Sequence, residues 1–197
     1  LVVGAHTGAW VFEAESNGWR DVEPLPHCGG QALAALPTGG AVAAGTFSVY
    51  CSGDHREAWR YLPGADGFET IASTHHVRTE PSAAPLQDGT VLVVGDTFTE
   101  ASSEVGERYW PDTDTWELTP AIPGWRRGAR LLGLHDGRVL TMGGHTSPGS
   151  PIGQGAVYWP DEDRWEAVPA PDTSELDPSV AAVELADGRV VMVSVRG

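Results

Sequence analysis

Seven histidines, 12 arginines without a single lysine, and two cysteines carry most of the chemistry open to this 197-residue chain. His6-Thr7 and His145-Thr146 each follow a β-prone run, with Asp96-Thr97 and Thr46 at the corresponding places of two further runs. Imidazole and carboxylate are ordinary ligands for zinc and similar divalent ions, so His6, Asp96 and His145 form a candidate metal set if their loops converge. No short ligand spacing accompanies them, and the plainer reading is exposed loop residues pointing apart. A second set is Trp125-Arg126-Arg127 with Arg130, joined by Arg78 and by the adjacent pair His75-His76. Trp beside Arg is the composition of binding hot spots, and a guanidinium forks a carboxylate or phosphate through two hydrogen bonds. The plainer reading pairs these arginines with acidic neighbours and packs Trp125 beneath its own segment. Neighbouring side chains of an extended segment point to opposite sides, so at most one of His75 and His76 enters a common site.

Other motifs point to structure. Pro111-Asp112-Thr113-Asp114 and Pro160-Asp161-Glu162-Asp163 look superficially like calcium loops, but lack the glycine and distal glutamate of a helix-flanked one. Asp and Pro in such runs build tight turns. Neither a nucleophile elbow nor a glycine-rich phosphate loop is present, so no catalytic motif can be read directly. Cys28 and Cys51 are too few for a disulfide framework or a four-thiolate zinc site, and their pairing and the compartment stay open.

The formal charge of −15 argues against an electrostatic grip on nucleic acid or anionic lipid. Hydrophobic residues make up 41%, enough for the core of a single domain. With 25 glycines and 15 prolines and no triplet period, the chain must turn often between short elements, which disfavours long helices. No apolar run approaches the roughly 20 residues that span a bilayer, and Leu1 to Ala5 lack the basic flank and cleavage pattern of a signal peptide.

The elements that must position these residues come from an internal repeat. Phe12 and Trp19, Tyr61 and Phe68, Tyr109 and Trp116, Tyr158 and Trp165 are four aromatic pairs seven residues apart, and their second members recur at intervals of 49, 48 and 49. Before each later pair stands a turn and a β-rich apolar run: Pro37-Thr38-Gly39-Gly40, Asp88-Gly89 and Asp136-Gly137, with Asp187-Gly188 opening a further run. Glycine accepts positive φ without steric cost, so these turns predict hairpins. Each unit reads as four short antiparallel strands, in one case Leu131–Leu134, Arg138–Gly144, Gly155–Trp159 and Arg164–Val168. One such sheet cannot bury both faces, so successive sheets must stack, with the recurring rings between them.

Gly143-Gly144 after a strand, Tyr158 about fourteen residues later and Trp165 seven beyond that resemble the kelch repeat, and Gly95, Tyr109 and Trp116 repeat most of it. The likeness runs along essentially the whole chain, with Phe12 in place of Tyr and Phe68 in place of Trp. It implies an all-β, kelch-like β-propeller of four repeats of about 49 residues with four-stranded antiparallel blades. The blades span about 31–72, 81–120 and 129–169, and a fourth is assembled from 1–24 with 179–197. Closure within one chain is preferred over a ring completed by a second copy, although both ends supply a second strand.

In such propellers the loops between second and third strands and the links between blades share one rim, where binding concentrates. That rim takes His6, His55 and His145 in loops and His27, His75 and His76 in links, leaving His135 alone in the opposite hairpin turns. The expected function is a non-catalytic scaffold for a protein or peptide, including one with acidic groups, held by Arg78, Trp125, Arg126, Arg127, His75 and His76. The alternative is an enzyme acting on a small molecule or carbohydrate in a His-containing axial pocket, with a divalent metal on His6, Asp96 and His145. Neither reading requires another cofactor.

Overall fold

The computed structural model describes residues 2–3, 8–25, 29–46, 55–96, 104–124, 128–144, 154–169 and 181–193. The regular elements among them are strands, apart from Glu104, which has 3-10 geometry. The first unit holds β1 (Val2–Val3), β2 (Ala9–Glu13) and β3 (Gly18–Val22), paired in that order. The second holds β4 (Gly29–Ala35), β5 (Ala41–Thr46), β6 (Ala58–Leu62) and β7 (Gly67–Ile71). The third holds β8 (Thr79–Pro85), β9 (Val91–Asp96), β10 (Val105–Trp110) and β11 (Thr115–Ala121). The fourth holds β12 (Arg130–Gly133), β13 (Val139–Met142), β14 (Gln154–Trp159) and β15 (Arg164–Pro169). A hairpin of β16 (Ala181–Glu184) and β17 (Val190–Val193) follows.

Within each four-stranded unit every strand pairs antiparallel with the next. The second and third units fuse into one eight-stranded sheet through a single parallel bridge, Thr46 opposite Thr79, with Thr46 N–H donating to Arg78 O at 2.8 Å. The repeat reading did not anticipate that bridge. The first strands β4, β8, β12 and β16 lie against one another in succession. Among the described residues no ladder joins the β1–β3 sheet to the β16–β17 hairpin.

The hairpins follow from the turn residues. Gly39, Gly89, Gly137 and Gly188 have φ of 92°, 87°, 91° and 82°. In each turn a leucine carbonyl accepts from the glycine N–H, and the leucine N–H bonds to the residue after the glycine, as in Gly89 N to Leu86 O (3.1 Å) and Leu86 N to Thr90 O (2.8 Å). This is a type I turn closed by a left-handed residue, a geometry that costs L side chains a steric penalty and glycine none.

The aromatic pairs seven residues apart are direct cross-strand partners in all four units, with ring centroids 4.9–5.5 Å apart. The pairs of the second, third and fourth units each rest on the sheet of the preceding unit. Tyr109 and Trp116 share a core with Val42, Ala44, Ala58 and Ile71 of the second unit, and Tyr158 shares one with Ala84, Leu86 and Leu92 of the third. Tyr61 packs with Ala9 and Val22 of the first. Polar edges find partners across the same seams: Trp116 Nε1 donates to Ala72 O at 2.7 Å, and Trp165 Nε1 to Thr119 Oγ1 at 3.1 Å. Covered on both faces, β5 is buried along its whole length and built from small residues, as a strand between two layers must be.

The two Asp-rich runs are turns, as their composition predicts. Tyr61, Tyr109 and Tyr158 each donate a phenolic hydrogen to the aspartate five residues on, Asp66, Asp114 and Asp163, at 3.0, 2.9 and 2.6 Å. Those aspartates hold φ of 57°, 51° and 45°. Burial and the aspartate together push all three phenol pKa values up. In the first unit Asn17 takes the same left-handed place (φ 51°) opposite Phe12, which has no hydroxyl to satisfy.

Candidate binding site

The link from β7 to β8 is organised around one carboxylate, Glu107. It stands on β10 two residues before Tyr109, hence on the same face as that ring, and is completely buried. Its Oε2 accepts from the His75 backbone N–H at 2.6 Å and lies 3.0 Å from His75 Nδ1. Its Oε1 accepts from His76 N–H at 3.1 Å and from Arg78 Nε and Nη2 at 3.0 and 2.9 Å. Arg78 Nη1 donates to Gly95 O and Val105 O at 3.0 and 2.7 Å. Thr74 Oγ1 adds bonds to Arg56 O and His76 O. A buried charge persists only when paired and hydrogen-bonded, and both members of this pair meet that condition.

Arg78 therefore corrects the sequence expectation. It is not a surface cation waiting for a partner but a buried strut with its guanidinium spent inside the protein. His75 and His76 lie in a bend and differ in exposure: the His75 side chain is half-exposed, whereas His76 is more enclosed. Burial lowers the His76 pKa, and the Arg78 charge lowers it further. Glu107 was missed at the sequence level. The signal was a charged residue on the ring-bearing face of a strand, where other units have Trp10, Trp59 and Ala156.

Trp125, Arg126 and Arg127 lie outside the described residues, as do His6 and His145, and so does the Asp96 side chain. The backbone register does bear on the metal set. Val91 and Val139 both pair with the tyrosine of their unit, so five residues on, Asp96 corresponds to Gly144, one residue short of His145. The quasi-equivalence that grouped Asp96 with His145 is thus out of step by one position. Among the described residues no group of three His, Cys, Asp or Glu side chains is arranged to hold a metal ion.

At the hairpin end, opposite this link, a cleft of about 400 Å³ opens between the third and fourth units, lined by Asp88, Asp136, Arg138, Trp159, Asp161 and Glu162 among others. Its charges largely satisfy one another. Arg108 pairs with Asp88 and donates to Thr90 Oγ1 (2.8 Å) and Pro160 O (3.1 Å), and Arg138 pairs with Asp136. Burial would raise the Asp88 pKa, but Thr90 and Arg108 outweigh it and hold it low, while the bond from Arg138 holds Asp136 low. The Arg138 and Arg164 guanidinium groups sit over the Trp159 ring at 4.7 and 4.5 Å. Among the described residues the lining contains no Ser, Cys or His to serve as a nucleophile with its base. The hairpin turns are also stitched in series, with Gln87 Nε2 donating to His135 O and His135 N–H to Glu184 Oε2.

Comparison with family models and with characterised proteins finds no match. The functional reading therefore rests on the geometry and on the repeat.

Proposed function

We propose that this chain belongs to a kelch-like β-propeller and serves as a non-catalytic scaffold, presenting its inter-unit links to a protein or peptide with acidic groups. The propeller reading is supported by the succession of first strands and by the three later ring pairs, which each rest on the sheet before. The observation that carries the functional reading is the pinning of a link to the core. Glu107 holds the backbone of His75 and His76, so a half-exposed imidazole is offered from a fixed segment. Presenting side chains from a preordered loop lowers the entropic cost of binding. The next link in the repeat carries Trp125-Arg126-Arg127, a Trp-Arg composition suited to carboxylates, on a protein whose charge is otherwise strongly negative.

The test is binding of immobilised Asp- and Glu-containing peptides by the 197-residue chain and by a Trp125→Ala/Arg127→Ala variant. A weakening of about 30-fold or more, the size of a hot-spot loss, is expected with an unchanged melting temperature. Undiminished binding, or a matching loss of stability, overturns the reading.

A further inference from the structure

The internal seams share one design, and its two halves recur uncovered at the ends of the series. In each seam a unit offers an aromatic pair on one face and the preceding unit offers aliphatic side chains, which in the two later seams include those of its first two strands. In the third unit the ring face carries Tyr109 and Trp116, and the aliphatic face carries Ala84, Leu92 and Val94; all five are buried. The corresponding rings of the first unit, Phe12 and Trp19, are exposed, and so is Trp10, two residues before Phe12 on the same face. Trp19 is 62% exposed, against 5% for its equivalent Trp116. In the last hairpin the turn register places Val183, Val191 and Val193 where the third unit has Ala84, Leu92 and Val94. These three valines are exposed, Val193 at 63% against 2% for Val94.

We propose that the Trp10-Phe12-Trp19 face of one copy of this chain docks on the Val183-Val191-Val193 face of a second copy, head to tail. The contact continues a packing of rings on first- and second-strand aliphatic side chains that the molecule already makes twice, so the ring face and the aliphatic face need no new chemistry to fit. Both patches are apolar and contiguous, the kind of surface that marks an association site on a soluble domain. The two faces differ, so the contact is heterologous: two copies close into a ring where the rotation permits, and otherwise extend. Each copy carries −15, so long-range repulsion opposes the contact and salt strengthens it. This goes beyond the peptide-binding proposal and uses none of its residues.

The experiment is light scattering on a size-exclusion column with the 197-residue chain at several concentrations, in low and high salt. The expected mass is at least twice 20.8 kDa, with the associated fraction rising with salt. Trp19→Glu and Val193→Glu should each elute near 20.8 kDa alone, because each removes one half of the contact. Their equimolar mixture should form a 1:1 complex through the single intact pairing. Val191→Glu replaces Val193→Glu should the latter fail to fold by circular dichroism. Monomeric wild type up to about 100 μM, a weak affinity by protein-association standards, overturns the proposal. So does association that survives either variant, or a monomer whose Trp19 is shielded from a fluorescence quencher, since the chain itself would then cover that face.

Discussion

Arg78 and Glu107 are both fully buried and meet through two hydrogen bonds to one carboxylate oxygen, with Glu107 also holding the backbone of the adjoining link. Desolvation makes such a pair a weak source of net stability, yet breaking it strands an uncompensated charge. Glu107→Ala should therefore cost about 3–5 kcal/mol in urea unfolding. Glu107→Gln, which keeps an acceptor for the link, should cost less. An Arg78→Met/Glu107→Ala double variant removes the stranded charge but still orphans two backbone N–H groups, so it should recover only part of the loss.

Stability should also fall as the solution is acidified through the histidine range. The folded-state pKa of His76 lies below its ordinary value, so the unfolded chain binds the proton first. The stability is complete above the ordinary value near 6.5 and is lost as pH drops from there toward the folded-state value. His76→Gln keeps the backbone bonds to Glu107 and Thr74 and should flatten the dependence between pH 7 and 5, read by chemical unfolding at each pH.

Asp114 combines two roles, a left-handed backbone and acceptance from Tyr109 Oη and Ala72 N–H. Asp114→Ala forfeits both, leaving a buried phenol without its acceptor, a loss of about 1–3 kcal/mol. Asp114→Gly restores only the backbone freedom and should be milder. Asp114→Asn retains an acceptor oxygen and tolerates the left-handed region, so it should be the mildest of the three by thermal melt.

Gly45 is constrained by what surrounds it. Its φ is +74°, and an added Cβ would lie 2.7 Å from both Arg78 O and Pro81 Cγ. Gly45→Ala should lower the melting temperature by several degrees, as expected for strain of about 1–3 kcal/mol. It should also increase hydrogen exchange at Thr46 N–H, whose bond to Arg78 O fixes the bridge between two units.

How much of this was legible beforehand depended on whether the signal was periodic. The ring pairs seven residues apart, the glycine turns and the Asp-rich turns all recur at a fixed spacing, and each is found as read. Arg78 was misread because burial is decided by a partner 29 residues away on another strand, and no local pattern announces that Glu107 faces inward. Asp96 was grouped with His145 because each precedes a threonine after a β-prone run, whereas strand pairing counts from the valine opposite each tyrosine. The parallel contact at Thr46 and Thr79 joins two repeats and is invisible to a reading confined to one.

The orientation of the ring pairs gives the chain a direction. Tyr61 rests on the first unit, Tyr109 and Trp116 on the second, and Tyr158 on the third, always toward earlier sequence. A polypeptide emerging from the ribosome thus brings each pair of rings to a sheet that has already been synthesised, and a repeat is not required to wait for one still to come. Folding can advance vectorially, one seam at a time, at the pace of translation. Stalled intermediates would then expose an aliphatic face at the growing end, where the next aromatic pair is due, rather than a row of unsupported rings.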